Sequence, residues 1–208
     1  MNVGTIKSRV QRAFGDESST FIEATDVLNW LNDGQMEIVR KTNCLQAETN
    51  GTTVVGTNKL LLTTIAPGLL AVQKFMVNYI QLKYSDISGP NLSSSDAPLN
   101  VETGSYFIWN GYIYWNMLDA GTAYNYRIYY LKTATALTAD GDIPDIPVEF
   151  HEDLVTWCLI KANEMTEDYD AADRYRTQFR ERVANSRGDT NLKQRTSYTG
   201  PRLLDTWD

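Results

Sequence analysis

Tyr106-Phe107-Ile108-Trp109-Asn110-Gly111-Tyr112-Ile113-Tyr114-Trp115 is two aromatic runs joined by Asn-Gly. A two-residue turn of type I′ needs positive φ at both central positions, and Asn-Gly is the pair that tolerates this best. The stretch therefore reads as a β-hairpin with a fixed register. Phe107, Trp109, Tyr112 and Tyr114 fall on one face, and Tyr106, Ile108, Ile113 and Trp115 on the other. Strand signals continue on both sides. Upstream, Thr52–Val55 and Lys59–Thr64 read as short strands around Gly56, and Leu70–Tyr84 as a longer β-rich run. Gly89–Pro98, rich in Ser, Pro and Gly, reads as a surface loop. Downstream, Ala123–Lys132 alternates Tyr124, Tyr126, Ile128 and Tyr130. The β regime is expected over residues 51–134, opening at Asn50-Gly51.

Outside that block the apolar period changes from 2 to 3.6. Val3–Phe14 places Ile6, Val10 and Phe14 on one helical face, with Gly15 where a C-terminal cap belongs. Glu23–Thr42 places Val27, Leu28, Leu31, Ile38 and Val39 on one face. Gly34 should weaken that helix by about 1 kcal/mol relative to Ala. Thr20 with Glu23 fits a capping box, and Thr25 is an alternative cap. Helical signals return at Pro147, with Phe150, Leu154, Trp157, Cys158, Ala162 and Met165 as an inward stripe. A last helix over Tyr169–Arg187 turns Ala172, Tyr175, Phe179 and Val183 inward, and Gly188-Asp189 is expected to end it. The fold class is α+β: a helical bundle formed from both chain ends (1–45 and 147–187), an inserted antiparallel β domain (51–134), and an extended C-terminal arm (190–208).

The chain has 208 residues, a net charge of -7 and a pI near 4.8. An acidic balance argues against a protein whose main task is to wrap nucleic acid. The charge is uneven: residues 1–169 carry 11 Lys and Arg against 20 Asp and Glu, residues 170–208 carry 8 against 6. A mildly basic end on an acidic body is a docking asymmetry. Cys44 and Cys158 lack metal or redox spacing and read as small buried hydrophobes in a reducing compartment. The chain shows no signal-peptide pattern, and its most apolar stretch, Leu60–Val72, is too short and interrupted to span a bilayer. The expectation is a soluble, intracellularly assembled protein without a membrane partner.

No catalytic, metal or cofactor motif stands in the chain. His151 is the only histidine, and its place in the first turn of a helix, beside Glu152 and Asp153, points to a structural role. Asp140, Asp142 and Asp145 have the wrong spacing for a calcium loop and read as turn chemistry. Asp170 with Arg174, and Asp173 with Arg176, read as surface pairs. Arg176, Arg180 and Arg187 lie along one edge of the last helix, suited to an acidic partner. The aromatic β block admits two readings, a small core with an interface or a surface that stacks on sugars. The tail offers Tyr198, Leu203, Leu204 and Trp207 as apolar anchors.

The order of these segments resembles the head-to-tail adaptor (connector, head-completion) proteins of tailed bacteriophages. The resemblance rests on Ile6-Lys7-Ser8-Arg9-Val10, Phe14-Gly15-Asp16-Glu17-Ser18 and Asp26-Val27-Leu28-Asn29-Trp30-Leu31-Asn32-Asp33-Gly34-Gln35. It continues in Tyr106-Phe107-Ile108, Asn110-Gly111-Tyr112-Ile113-Tyr114, Tyr126-Arg127-Ile128-Tyr129-Tyr130, Ile143-Pro144-Asp145-Ile146-Pro147 and Phe150-His151-Glu152-Asp153-Leu154-Val155. It implies a structural virion protein, not an enzyme, with no cofactor. Its members form a ring, usually twelve-fold, that joins the portal of the head to the tail and extends the DNA channel. The implied partners are the portal protein, a downstream tail or nozzle protein and other copies of the chain, with DNA passing through unread. The implied location is the head–tail junction of the virion, after assembly in the host cytoplasm. On that reading Arg176, Arg180, Arg187, Tyr198, Leu203, Leu204 and Trp207 belong to a subunit or portal interface, and Trp109, Tyr112 and Tyr114 to a tail-protein contact. The alternative is a glycan-binding tail module using the aromatic β surface.

Overall fold

A computed structural model describes residues 1–18, 20–85, 104–115 and 122–196, with side chains as far as Ser186. The chain is mixed α+β and divides into two compact units, Met1–Leu45 with Ala134–Asp208, and Gln46–Thr133.

In the first unit α1 (Val3–Phe14) starts at Asn2, whose side chain accepts from the Thr5 N–H, and stops at Gly15 in the left-handed region, φ 85°. Its first free N–H groups, on Val3 and Gly4, donate to the carbonyls of Asp142 and Asp140, each at 2.9 Å. Asp16 then organises the turn: its carboxylate accepts from the N–H groups of Thr20, Phe21 and Ile22 at 2.8–2.9 Å. Neither expected cap of α2 (Ala24–Thr42) forms, because Glu23 occupies the N-cap position without a side-chain cap bond. The returning chain enters a 3-10 turn at Val148–Phe150, then α4 (His151–Met165) and α5 (Tyr169–Thr196). Ile6, Val10, Leu31, Ile38, Phe150, Leu154, Cys158, Phe179 and Val183 share one core. Met165, expected inward, is exposed at the end of α4. The last helix passes Gly188-Asp189 and continues to Thr196. The expected extended arm is thus helical over 190–196, and residues 197–208 lie outside the described set.

The second unit is a curled seven-stranded sheet. Its strands are β1 (Gln46–Thr52), β2 (Lys59–Leu61), β3 (Leu69–Val77), β4 (Ile80–Tyr84), β5 (Ser105–Trp109), β6 (Tyr112–Trp115) and β7 (Asn125–Lys132), in the order β1-β7-β3-β4-β5-β6-β2. A single-turn helix, α3 (Leu62–Ile65), follows β2. The β5–β6 hairpin has the expected register, Trp109 opposite Tyr112 and Ile108 opposite Ile113, with Asn110 at φ 47° and Gly111 at φ 78°. The expected strand over Thr52–Val55 does not extend beyond Thr52, where β1 ends, and the one over Lys59–Thr64 stops at Leu61, before α3. Three further features differ from the sequence reading. First, β1 begins at Gln46, so Asn50-Gly51 lies inside a strand; a Cβ on Gly51 would sit 2.6 Å from the Tyr126 hydroxyl, and close approach, not a turn, calls for the glycine. Second, the run from Leu70 to Tyr84 is a hairpin, folded at Asn78-Tyr79 with both φ positive, 49° and 65°. Third, β4 and β5 pair in parallel, the one exception to antiparallel pairing among the described strands. Phe75, Val77, Leu82, Tyr106, Ile113, Trp115, Ile128 and Tyr130 fill the inner face, with Leu62 and Ala66 from α3 and its C-terminal end.

Candidate assembly surfaces

The chemistry of catalysis is thin on the described residues. No group of three or more His, Cys, Asp or Glu is placed to hold a metal ion there, and no helix there is long and apolar enough to cross a membrane. His151 is buried, its Nε2 3.1 Å from the Ile146 carbonyl and its Nδ1 2.7 Å from the Met1 amine. Donation of Nε2–H to that carbonyl leaves Nδ1 as the acceptor. Burial, with the nearby Met1 charge adding to it, pushes the imidazole below its ordinary pKa, so it stays neutral. Cys158 is buried and its thiol is pushed up by desolvation; Cys44 is half-buried and raised for the same reason. Neither is an activated thiolate. The three aspartates of the 140–145 turn serve the fold. Asp142 accepts from the Thr138 and Ala139 N–H groups, Asp145 from Thr135, and Asp140 pairs with Lys7 at 2.7 Å.

Two polar side chains on α2 do what the sequence did not disclose. Asn32 accepts from the Leu137 N–H at 2.8 Å and donates to the Leu137 carbonyl at 3.1 Å, as a neighbouring strand would. Gln35 accepts from the Asp145 N–H at 3.1 Å and donates to the Thr135 carbonyl at 3.4 Å. Together they hold the segment by which the chain re-enters the helical unit. The signal was a pair of amides three residues apart on an otherwise apolar helix face.

On α5, Arg176 bridges Glu164 at 2.5 Å and Asp173 one turn back, so its charge is engaged within the chain. Arg180 is exposed, and the Arg187 side chain lies outside the described set. Arg182, on the other side of the stripe, reaches Asp153 at 3.6 Å. Burial pushes the Asp153 carboxyl up and Arg182 pulls it partly back. The corner between α4 and α5 carries Glu167, Asp168, Tyr169 and Asp170, all exposed, with Tyr169 63% exposed. Tyr198, Leu203, Leu204 and Trp207 fall outside the described residues.

In the β unit Trp109 is about half exposed at the tip of the β5–β6 hairpin, and Tyr112 and Tyr114 are half-buried. Tyr114 stacks on buried Phe107 with centroids 4.9 Å apart, and Lys59 lies over the Tyr112 ring at 5.8 Å. On the outer face of β1, β7, β3 and β4, Lys74 lies over Tyr129 at 5.8 Å and Arg127 donates to the Tyr129 hydroxyl at 3.3 Å. A cavity of about 380 Å³ opens at the end of this face, lined among others by Asn50, Tyr79, Asn125 and Arg127.

No curated protein matches the sequence. The description SU10 adaptor protein belongs to a family model that matches residues 1–203. The match runs through both units, from the first helix past the last one described, and the chain therefore belongs to the SU10 adaptor protein family, whose name marks it as a phage adaptor, a structural protein that meets other head and tail proteins.

Proposed function

We propose that the chain forms the ring that joins the portal of a phage head to its tail and extends the DNA channel, with twelve copies to the ring. The observation that carries this is the family match over residues 1–203. The fold supports it. A repeated subunit needs two different surfaces for its two neighbours, and this chain carries an acidic helical unit and a chemically distinct β unit. The helical unit has 14 Lys and Arg against 21 Asp and Glu; the β unit has 5 against 5.

Within this reading the edge of α5 formed by Arg176, Arg180 and Arg187 faces a neighbouring subunit or the portal. Among the described side chains of this edge Arg180 is exposed and makes no ion pair, while Arg176 is held in place by Glu164 and Asp173. The terminal residues Tyr198, Leu203, Leu204 and Trp207 add apolar contacts to the same interface. Trp109, Tyr112 and Tyr114 meet the downstream tail or nozzle protein, Trp109 as the exposed anchor. The glycan reading is weaker because few rings of the β unit are open to solvent: of the thirteen described, Phe75, Tyr106, Phe107, Trp115, Tyr126 and Tyr130 are buried, four more are half-buried, and Tyr79, Tyr84 and Trp109 are exposed. The test is an image reconstruction of purified particles with the chain's copy number measured by quantitative mass spectrometry. A twelve-fold ring directly below the portal is expected. A chain found elsewhere on the particle, or present as one copy, overturns the proposal.

A further inference from the structure

The outer face of the sheet is the clearest surface in the molecule that the family assignment leaves unexplained. Phe75 pairs with Leu82 on the inner side, so Lys74 and Lys83, one residue along, come side by side on the outer side. Lys74 is opposite Tyr129 on β7, and Arg127 lies two residues from Tyr129 on the same face. Lys83 and Arg127 are exposed, and none of these three cations makes an ion pair among the described residues. Glu48, opposite Tyr129 on β1, is the only carboxylate among the described residues of this unit. Among the described residues the face therefore has a net positive charge, in a chain of charge -7. At its end lies the cavity of about 380 Å³ beside Arg127 and Tyr79. That is near the lower limit for a ligand pocket and suits one inserted side chain.

Exposed carboxylates occur at several places on the described surface, and at the corner Glu167-Asp168-Tyr169-Asp170 they flank an exposed tyrosine. The corner presents a tyrosine between carboxylates, with no cation bound to Glu167 or Asp170 among the described residues. Tyrosine is enriched among the residues that anchor protein interfaces in well-packed pockets. We infer that the α4–α5 corner of one copy docks on the cationic sheet face of the next, with Tyr169 entering the cavity beside Arg127 and with Glu167 and Asp170 facing Lys74, Lys83 and Arg127. This names the subunit contact of the ring, and rests on that reading. The contact is heterologous, one patch on a different patch, as a closed ring of copies requires. A nucleic acid would be drawn to the same cations but offers no counterpart to the tyrosine.

Zero-length carbodiimide coupling on purified particles tests it. The expected products are amides joining Lys74 or Lys83 of one copy to Glu167 or Asp170 of another. If the chain shows no self-coupled species, the ring reading fails. If self-coupled species form only through other residues, or the two lysines couple only to another protein, the docking fails and the ring stands. Genetics gives a second measure. Arg127→Glu should lower the yield of infectious particles by about tenfold or more, the scale of losing one interface anchor, and Asp170→Arg should restore it. Tyr169→Ala, at an exposed position that leaves the fold intact, should reproduce the loss. Normal yield from Tyr169→Ala and from Arg127→Glu, or DNA photocrosslinked to the sheet face in place of the self-contact, overturns the inference.

Discussion

Gly34 in the middle of α2 gives the sharpest test of how the helical unit is packed. By propensity alone, alanine there should stabilise the helix by about 1 kcal/mol. The structure reverses the sign. A Cβ at Gly34 would lie 2.8 Å from Cδ1 of Trp157 and 3.1 Å from Cδ2 of Leu154, where 3.4–4 Å is ordinary contact. Trp157 has little room to yield, being packed on Phe179 with centroids 5.2 Å apart and covered by Lys161 at 5.4 Å. Forcing a methyl group into such a contact costs typically about 1–3 kcal/mol. Set against the propensity gain, Gly34→Ala should lower stability by about 1 kcal/mol, or roughly 2–4 °C in melting temperature for a chain of this length. Thermal unfolding followed by helical circular dichroism measures it. In a Trp157→Leu background the closer obstruction is gone and only the 3.1 Å contact with Leu154 is left, so the same substitution should cost clearly less or become neutral. The interaction term of that double-mutant cycle isolates the contact. A Gly34→Ala protein that melts higher than the parent would refute the close α2–α4 crossing.

Other consequences are as direct. Asn32→Ala removes both bonds to Leu137 and leaves a backbone N–H without its partner, so it should cost about 1–3 kcal/mol and selectively speed amide exchange at Leu137. Tyr79→Gly should stabilise the β3–β4 hairpin by about 1 kcal/mol, since Tyr79 is 81% exposed and held at φ 65°, where a Cβ is penalised; a lower melting temperature would mean that its ring contributes more than its backbone costs. His151 is held neutral by burial, below its ordinary value of 6.5. Above pH 6.5 neither folded nor unfolded chain binds the proton; below it the unfolded chain does so first, and stability falls with pH. His151→Gln should flatten that part of a stability-against-pH curve, and an unchanged curve would assign the acid sensitivity elsewhere.

The sequence was most readable where local rules and the tertiary structure agree. The limits of α1 follow from its apolar period and Gly15, and the β5–β6 register follows from Asn110-Gly111. It was least readable where a residue is chosen for a neighbour distant in the chain. Gly51 looks like a turn and is a gap for Tyr126. Gly34 looks like a weak point and is a seat for Trp157. Asn78-Tyr79 turns the chain without glycine, so it reads as continuous strand. Gly188-Asp189 looks like a stop and is passed by the helix. The candidate surfaces divide the same way. The exposure of Trp109 could be expected from a hairpin tip, whereas the capture of Arg176 by Glu164, twelve positions earlier, depends on how α4 and α5 pair. The sheet face of Lys74, Lys83 and Arg127 could not be read in advance, because it is assembled from three strands whose order is not their order in sequence.

The manner in which the β unit is inserted follows from its first and last strands. Gln46 opens β1 and Lys132 closes β7, and these two strands are neighbours, with Gln46 opposite Leu131 and Thr52 opposite Asn125. The chain therefore leaves and re-enters the helical unit at points about one strand spacing apart, roughly 4.8 Å. Leu45 and Ala134, the residues just outside, both pack in the helical core, and Asn32 and Gln35 hold the returning segment from Thr135 to Asp145. The path between the two crossing points then has no bearing on whether the helical core closes. The segment between Thr53 and Tyr124 builds its own core, with Phe75, Val77, Leu82, Tyr106, Ile113 and Trp115, on the side of the sheet carried by β7. The helical unit keeps its geometry through a packed core and a few polar bonds of Asn32 and Gln35, and the inserted sheet keeps its own through a separate core.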